Sequence, residues 1–382
     1  MENKLSKELN INAVPLEMSA DNSKHNIAFL TFDWAWGTKP LQPNGCGWYR
    51  CLLPSRQLKK YGWGTGTGFP GFNEEHGFGL MVENDRAIHG WDIIVFKLIM
   101  HQKMLDAMYK AKEMGQKIVV DIDDWHDGLD PNNRAYEVTD PEKNPENNRK
   151  IYNEIISLAD AIIVSTPFLG DYYSQFNPNC YMVRNGIDLE RWTPRRTIKT
   201  TKPTIGWVGA TPWRSRDLES IADWVGKYVT DNDLRFHHSG HVLKDAAWAC
   251  DQLGISRERS SVLPLVPILE YPKLFEPIDV GIVALNDVPF NHAKSFIKGL
   301  EYVAAGVPFI SSYSPEYQLL ADNGVGRIAR NQDEWQYHLD ELRDPQMRED
   351  EAIVNLERVK ELFSMDKRGP EWHAVYERIV EQ

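Results

Sequence analysis

With 382 residues, the chain has room for two domains or a little more at roughly 150 residues per domain. At 42% hydrophobic, 11% aromatic and 26% charged it has ordinary globular composition, which excludes a disordered polymer. A net charge of -12 excludes a surface built as a whole for polyanions and leaves only a local basic groove open.

No run approaches the ~18 to 20 apolar residues of a membrane-spanning helix, and the first two dozen residues lack the apolar core of a signal peptide. A soluble, cytoplasmic protein is the expectation. Cys46, Cys51, Cys180 and Cys250 form no C-x-x-C pair, so neither a zinc site nor a disulfide framework is expected. Thirteen Trp is a high count, and Trp34, Trp36, Trp48 and Trp63 stand in polar, Gly-containing context. Core filling and a flat surface for stacking sugars or bases both account for them.

In chain order, IAFLTF (27–32) reads as a buried strand, followed by a Gly- and Trp-rich loop and the helical spacing of LLPSRQLKKYG. IIVFKLI (93–99) is a second strand, MLDAMYKAKEMG (104–115) an amphipathic helix closed by Gly115, and KIVVDID (117–123) a third strand. The stretch from Gly128 to Arg149 is rich in Asp, Asn, Pro and Glu without apolar period and reads as a loop. IYNEIISLAD is a helix, AIIVST (161–166) a strand, PFLGDYYSQF a helix and CYMVRNG (180–186) a strand. LERWTPRRTIKTTKP, basic and bounded by proline, has the composition of a linker.

A second series follows: strand TIGWVGA, helix DLESIADWVGKYV, strands LRFHHSG and VLPLVP, helix EYPKLFEPI, strand DVGIVAL, helix AKSFIKGLEYVAAG and strand PFISS. Alternation of this kind predicts an α/β chain of two Rossmann-like domains, each with a parallel sheet covered on both faces. The expected division is a flexible segment 1–24, a first domain 25–190, a linker 191–200, a second domain 201–365 and a terminal helix 366–382. In that helix Trp372, Val375, Tyr376 and Ile379 share one face.

Parallel sheets bind ligands beyond the carboxyl ends of their strands, and three places qualify. In PFNHAKSFIKGLEYVAAGVPFISS (289–312), Lys294 and Ser295 stand at the start of the predicted helix, with Lys298 and then Glu301 about one turn on each time. Positive charge leading to one carboxylate suits a nucleoside diphosphate; an exposed Lys–Glu pair is the simpler alternative. In NGCGWYR (44–50), Gly45 and Gly47 allow close backbone approach and Arg50 offers a bidentate anion contact. In DIDDWHD (121–127), Asp123, Asp124 and His126 follow a strand, where a solvated turn is the simpler reading.

The run KSFIKGLEYVAAGVPFISS resembles the nucleotide-sugar helix of GT-B glycosyltransferases, particularly the retaining family four, with its K-x-L-E-Y-M-A-A-G-x-P-V-V-A-S pattern. ADAIIVSTPFLGDYY with VRNGIDLERW is similar to the end of that family's first domain. TIGWVGATPWRSRDLESI is similar to the opening of its second domain, and VLPLVPILEYPKLFEPIDVGIVAL to its base-binding loop, helix and strand. The resemblance spans roughly residues 155 to 315, in the family's order.

It implies the GT-B arrangement, two domains facing across a cleft with the last helix returning to the first. The implied reaction moves a hexose from a nucleoside diphosphate sugar to a hydroxyl of a protein or glycan, with retention and no essential metal or other cofactor. Glu301 is then the ribose carboxylate, Ser295 and Lys298 contact the diphosphate, and Val266 offers its backbone to the base. Ala293 stands where the family has a sugar-contacting Glu, and Ala210 where it has Arg after V-G. The phosphate charge therefore falls to Arg214, Arg216, Lys294 or Lys298. Asp123, Asp124 and His126 would act beside the donor sugar. Three alternatives stay open: a manganese site at DIDD as in GT-A enzymes, transfer to hydroxymethylated DNA bases, and a sugar-nucleotide epimerase or non-catalytic binding module.

Overall fold

The computed structural model describes residues 16–19, 25–35, 42–81, 86–97, 99–195, 199–211, 216–241 and 248–382. Most of the segment 1–24 read as flexible, together with Trp36 and Arg214, lies outside the described residues. The chain forms two compact units, one of Met1–Asp124, Val138–Arg184 and Arg368–Gln382, the other of Trp125–Glu137 and Asn185–Lys367.

In the first unit, β1 (Leu16–Ser19), β2 (Asn26–Thr31), β3 (Gly64–Gly68), β4 (Ile93–Lys97), β5 (Lys117–Ile122), β6 (Ala161–Val164) and β7 (Cys180–Met182) make one sheet in the order β1-β3-β2-β4-β5-β6-β7. All pairings are parallel except that of β1 with β3. The chain order reverses between β2 and β4, which makes their carboxyl ends the switch point where such sheets take ligands. β3 carries no hydrophobic alternation and escapes a reading by pattern. Its glycines let neighbours close in: a Cβ on Gly66 would stand 2.4 Å from Leu80 Cδ1 and 3.0 Å from the Trp91 ring.

The second unit holds β8 (Thr204–Val208), β9 (Arg235–His241), β10 (Ser260–Pro264), β11 (Val280–Val283), β12 (Phe309–Ser312) and β13 (Arg327–Ala329), all parallel, in the order β10-β9-β8-β11-β12-β13. Its switch point lies between β8 and β11. Ile205, Trp207, Phe236, Val280 and Ile282 of these strands pack with Ile221, Trp224, Val225 and Val229 of the helix Glu219–Asp231 in one core. Two Rossmann-like units are thus present, as the alternation predicted.

The stretch 128–149 is not wholly irregular: Arg134–Val138 is a short helix. The last helix, Met365–Glu381, belongs from Arg368 onward to the first unit. Its predicted face is buried at Trp372, Val375, Tyr376 and Ile379, the Tyr376 ring lies 6.0 Å from Phe29, and Lys117 Nζ donates to the carbonyls of Ile379 and Val380. Trp34, Trp48, Trp63, Trp91, Trp192, Trp207, Trp224, Trp335 and Trp372 are all buried, so core filling accounts for most of the tryptophans. Among the described residues no helix is long and apolar enough to cross a membrane.

Candidate functional site

Two clusters occupy the carboxyl ends of the strands, one in each unit. In the second unit the carrier is α1 (Ile297–Ala304). It is seated by small residues and one phenol. A Cβ on Gly299 would stand 2.7 Å from the Phe309 ring, and Gly306 at φ +74° closes the helix in a conformation that favours glycine. Tyr302, on the same helix, donates to the Gly206 carbonyl at 3.0 Å and accepts from the Val208 N–H at 3.1 Å. These bonds fix the helix against β8, and with it the side chains on its first turns.

Those side chains are Lys298 and Glu301. Their ion pair is closed by i,i+3 spacing, and the Tyr271 phenol joins it, accepting from Lys298 Nζ and donating to Glu301 Oε2 at 3.2 Å. The ammonium also stands 5.1 Å from the Tyr271 ring centroid and 5.7 Å from that of Phe275. The pair is far from an exposed surface bridge: the Glu301 side chain is 4% exposed and that of Lys298 15%. Two charges held this deep cost desolvation that an apolar pair would avoid. Such a cost is ordinary in a ligand site, where charge is kept for the ligand.

Lys294 and Ser295 precede α1 rather than riding on it, because the helix starts four residues later than its pattern suggested. Lys294 therefore does not share a helical face with Lys298. It lies 3.8 Å from Asp217 Oδ2 and over the Phe290 ring, while Ser295 Oγ accepts from Asn185 Nδ2 at 2.8 Å. Asn291 donates to Asp217 Oδ1 at 2.7 Å, tying the short turn Pro289–His292 to the residues just before the helix Glu219–Asp231. Ala293 is buried. Val266 is half-buried between β10 and the 3-10 turn Tyr271–Phe275, in a loop whose Ile268 carbonyl accepts from Arg191. Arg216 is bound to Glu219 at 3.1 Å and Asp130 at 3.2 Å, with 43% of its side chain exposed. Arg214 lies outside the described residues.

In the first unit the Gly-rich stretch is helical, not an open loop. Gly45–Gly47 forms a turn that runs into a π-helical turn, Trp48–Leu52, and then into the helix Leu53–Lys60. Gly47 is packed tightly, since a Cβ there would stand 2.9 Å from the Asp33 carbonyl oxygen, and its N–H donates to Asp33 Oδ2 at 2.9 Å. Gly45 faces open space.

Arg50, expected at an anion, is instead buried in the unit's core. Its Nε and Nη2 grip Asp121 at 2.9 and 2.7 Å, Nη1 donates to the Val183 carbonyl at 2.8 Å, and the guanidinium lies 4.7 Å from the Trp372 ring centroid. The π-turn rotates this side chain inward, and the charge is taken up by Asp121.

Asp123 pairs with Lys97, the fully buried last residue of β4. Burial works against the Asp123 charge, but Lys97 outweighs it and holds the carboxyl below its usual range. Asp33 goes the other way: burial pushes its carboxyl up, against the Gly47 and Asn44 hydrogen bonds and the Lys97 charge. Burial, with Asp123 and Asp33 adding to it, pushes the Cys46 thiol well up, so it stays protonated. Two carboxyls with opposed shifts in one cluster are a recurring feature of sites that handle charge. Asp124 is half-buried in the first unit, whereas His126 is buried and begins a 3-10 turn, His126–Gly128, counted with the second. Among the described residues, no group of three or more His, Cys, Asp and Glu is placed to hold a metal ion.

Lys97, Tyr271, Asp217 and Asn185 were not singled out from the sequence. A lysine ending the apolar run IIVFK was a signal for the first; the others carried none.

Of the solved structures, sucrose-phosphate synthase from Thermosynechococcus elongatus matches with a TM-score of 0.62 at 13% identity, over 94% of this chain and 100% of that one. The catalytic domain of starch synthase IV from Arabidopsis thaliana, bound to ADP and acarbose, matches at 0.62 and 10% identity over the same shares. HepE from Anabaena in complex with UDP-glucose matches at 0.56 and 14% identity, over 96% of this chain and 100% of that one. The chain has the GT-B fold. No family model and no curated protein matches the sequence.

Proposed function

We propose that this GT-B chain is a nucleotide-sugar-dependent glycosyltransferase, moving a hexose from a nucleoside diphosphate sugar to a hydroxyl of a protein or glycan. The observation that carries the reading is the buried Lys298–Glu301–Tyr271 cluster at the switch point of the second sheet. In this reading Glu301 accepts from the ribose hydroxyls, Lys298, Lys294, Ser295 and Arg216 face the diphosphate, and the Val266 backbone meets the base. Asp123, Asp124 and His126, together with Gly45 and Gly47, are assigned to the transferred sugar.

The transition state has oxocarbenium character, so the protein's task is to stabilise the departing diphosphate and the positive sugar. Lysines do the first without a metal; the carboxylate of Asp123, kept charged by Lys97, does the second. Retention of anomeric configuration follows from the family resemblance. HepE and starch synthase IV, solved with UDP-glucose and ADP, make UDP-glucose and ADP-glucose the first donors to try.

The test is product analysis with a panel of donors, in excess chelator, with peptide, glycan or hydroxymethylated DNA as acceptor. Glycoside formed on peptide or glycan is the expected result. Glycoside on DNA alone would move the acceptor class, a donor altered without acceptor would make the chain an epimerase, and activity restored only by manganese would make DIDD a metal site.

A further inference from the structure

The first unit's switch point carries more charge than its packing needs. Register places Thr31, Lys97 and Asp121 side by side across β2, β4 and β5, and all three are buried. Lys97 could answer its cross-strand neighbour Asp121, but both oxygens of that carboxylate are gripped by Arg50. The lysine turns to Asp123 instead, two residues on and past the end of β5. Of that pair Lys97 is sealed, at 1% side-chain exposure, while Asp123 keeps 13%. The carboxylate alone reaches the surface, with a cation buried behind it. For stability alone, two apolar side chains in place of both charges would serve as well, because a buried ion pair costs desolvation that an apolar pair avoids.

The second support comes from the Gly-rich turn. Cys46, between Gly45 and Gly47, stands beside Asp123, and burial keeps its thiol protonated. Gly47 in turn is held to Asp33, which fixes the turn that presents the thiol. The two motifs read separately in the sequence, NGCGWYR and DIDDWHD, thus meet at one carboxylate.

We propose that Lys97 is a positioning residue, an ammonium that clamps the Asp123 carboxylate and aims it at the transferred sugar. The proposal rests on the reading that Asp123 serves that sugar. The charged and titratable groups around Asp123 are Lys97 from β4, Asp121 and Asp124 from the β5 end, Arg50 from the π-turn, Asp33 from the loop after β2, Cys46 from the Gly turn and Tyr152 from the helix Arg149–Leu158. Lys97 is the cation whose removal most changes the field at Asp123, since its ion pair is the direct one.

The experiment follows turnover of UDP-glucose against pH, and UDP affinity by calorimetry, in the full-length chain. Lys97→Met should lower turnover tenfold or more and move the acid limb of the pH profile up by about one unit, as loss of a close opposite charge does, with UDP affinity within about twofold. Lys97→Arg should restore the limb. An unmoved acid limb in Lys97→Met, with Asp123→Asn impaired, would overturn the clamp alone. Wild-type turnover in Asp123→Asn would overturn the role of Asp123, and the clamp with it. If Lys97→Met does not fold, the same pH profile in Lys97→Gln decides: a raised acid limb supports the clamp and an unmoved one refutes it.

Discussion

Each unit buries an ion pair at the carboxyl ends of its strands, and the two pairs differ in closure. Arg50 and Asp121 in the first are sealed, bidentate, backed by a tryptophan face and tied to a backbone carbonyl. Lys298 and Glu301 in the second share one phenol and keep a margin of exposure. The sealed pair has used its hydrogen-bonding capacity on the protein, so its charge serves the fold. The second pair can exchange a partner for a ligand at the cost of one ion pair. Closure, rather than residue type, separates the structural charge of the first pair from the second, proposed to bind the donor.

The largest effect should come from opening the sealed pair. Arg50→Ala leaves Asp121 buried and uncompensated, a loss of about 3 to 5 kcal/mol. Denaturant unfolding should show that loss, and a near wild-type midpoint would place Arg50 outside the structural core. Next is Glu301→Ala, which should weaken UDP binding by about 1.5 to 3 kcal/mol, the range for bonds to an ionised group, or roughly ten- to hundredfold in Kd. Calorimetry on the folded variant reads this, and unchanged affinity would make the second pair as structural as the first.

Tyr271→Phe sharpens the comparison at smaller scale. It removes one hydroxyl from the Lys298–Glu301 cluster and should cost about 0.5 to 1.5 kcal/mol in UDP affinity. Parallel melting curves should show less change than the affinity does.

The smallest effect is a pH slope carried by His237, buried in the second unit with its ring nitrogens on Ser239 and Ser261. Burial lowers its pKa to about 4 from an ordinary 6.5. The unfolded chain therefore binds the extra proton first, so the stabilising contribution is whole above pH 6.5 and is lost as pH falls towards 4. His237→Gln should flatten that part of a stability-against-pH curve, and an unchanged slope would remove His237 from it.

Among the described residues, hydrophobic period carried ten of the thirteen strands of the two sheets, because a strand buried on both faces must be an apolar run. β3 escaped it since its role is filled by glycine and threonine, whose value lies in what they let approach. β1 and β13 are short edge strands. At the candidate site, Lys298 and Glu301 were legible as an i,i+3 pair on a predicted helix, and Asp123 as a carboxylate after a strand. Arg50 was misplaced because the π-turn adds a residue to the helical turn, and no spacing announces which way a side chain then faces.

The order of strands and helices, and with it the class of fold, was determined by the sequence alone, since each element's period is set by local geometry. Which charges are sealed and which stay open was decided only by tertiary structure. Lys97 passes over its neighbour Asp121 for Asp123 because an arginine 47 positions earlier in the chain has already taken that carboxylate. Competition among partners brought together from distant segments is a property of packing, and no local pattern encodes it.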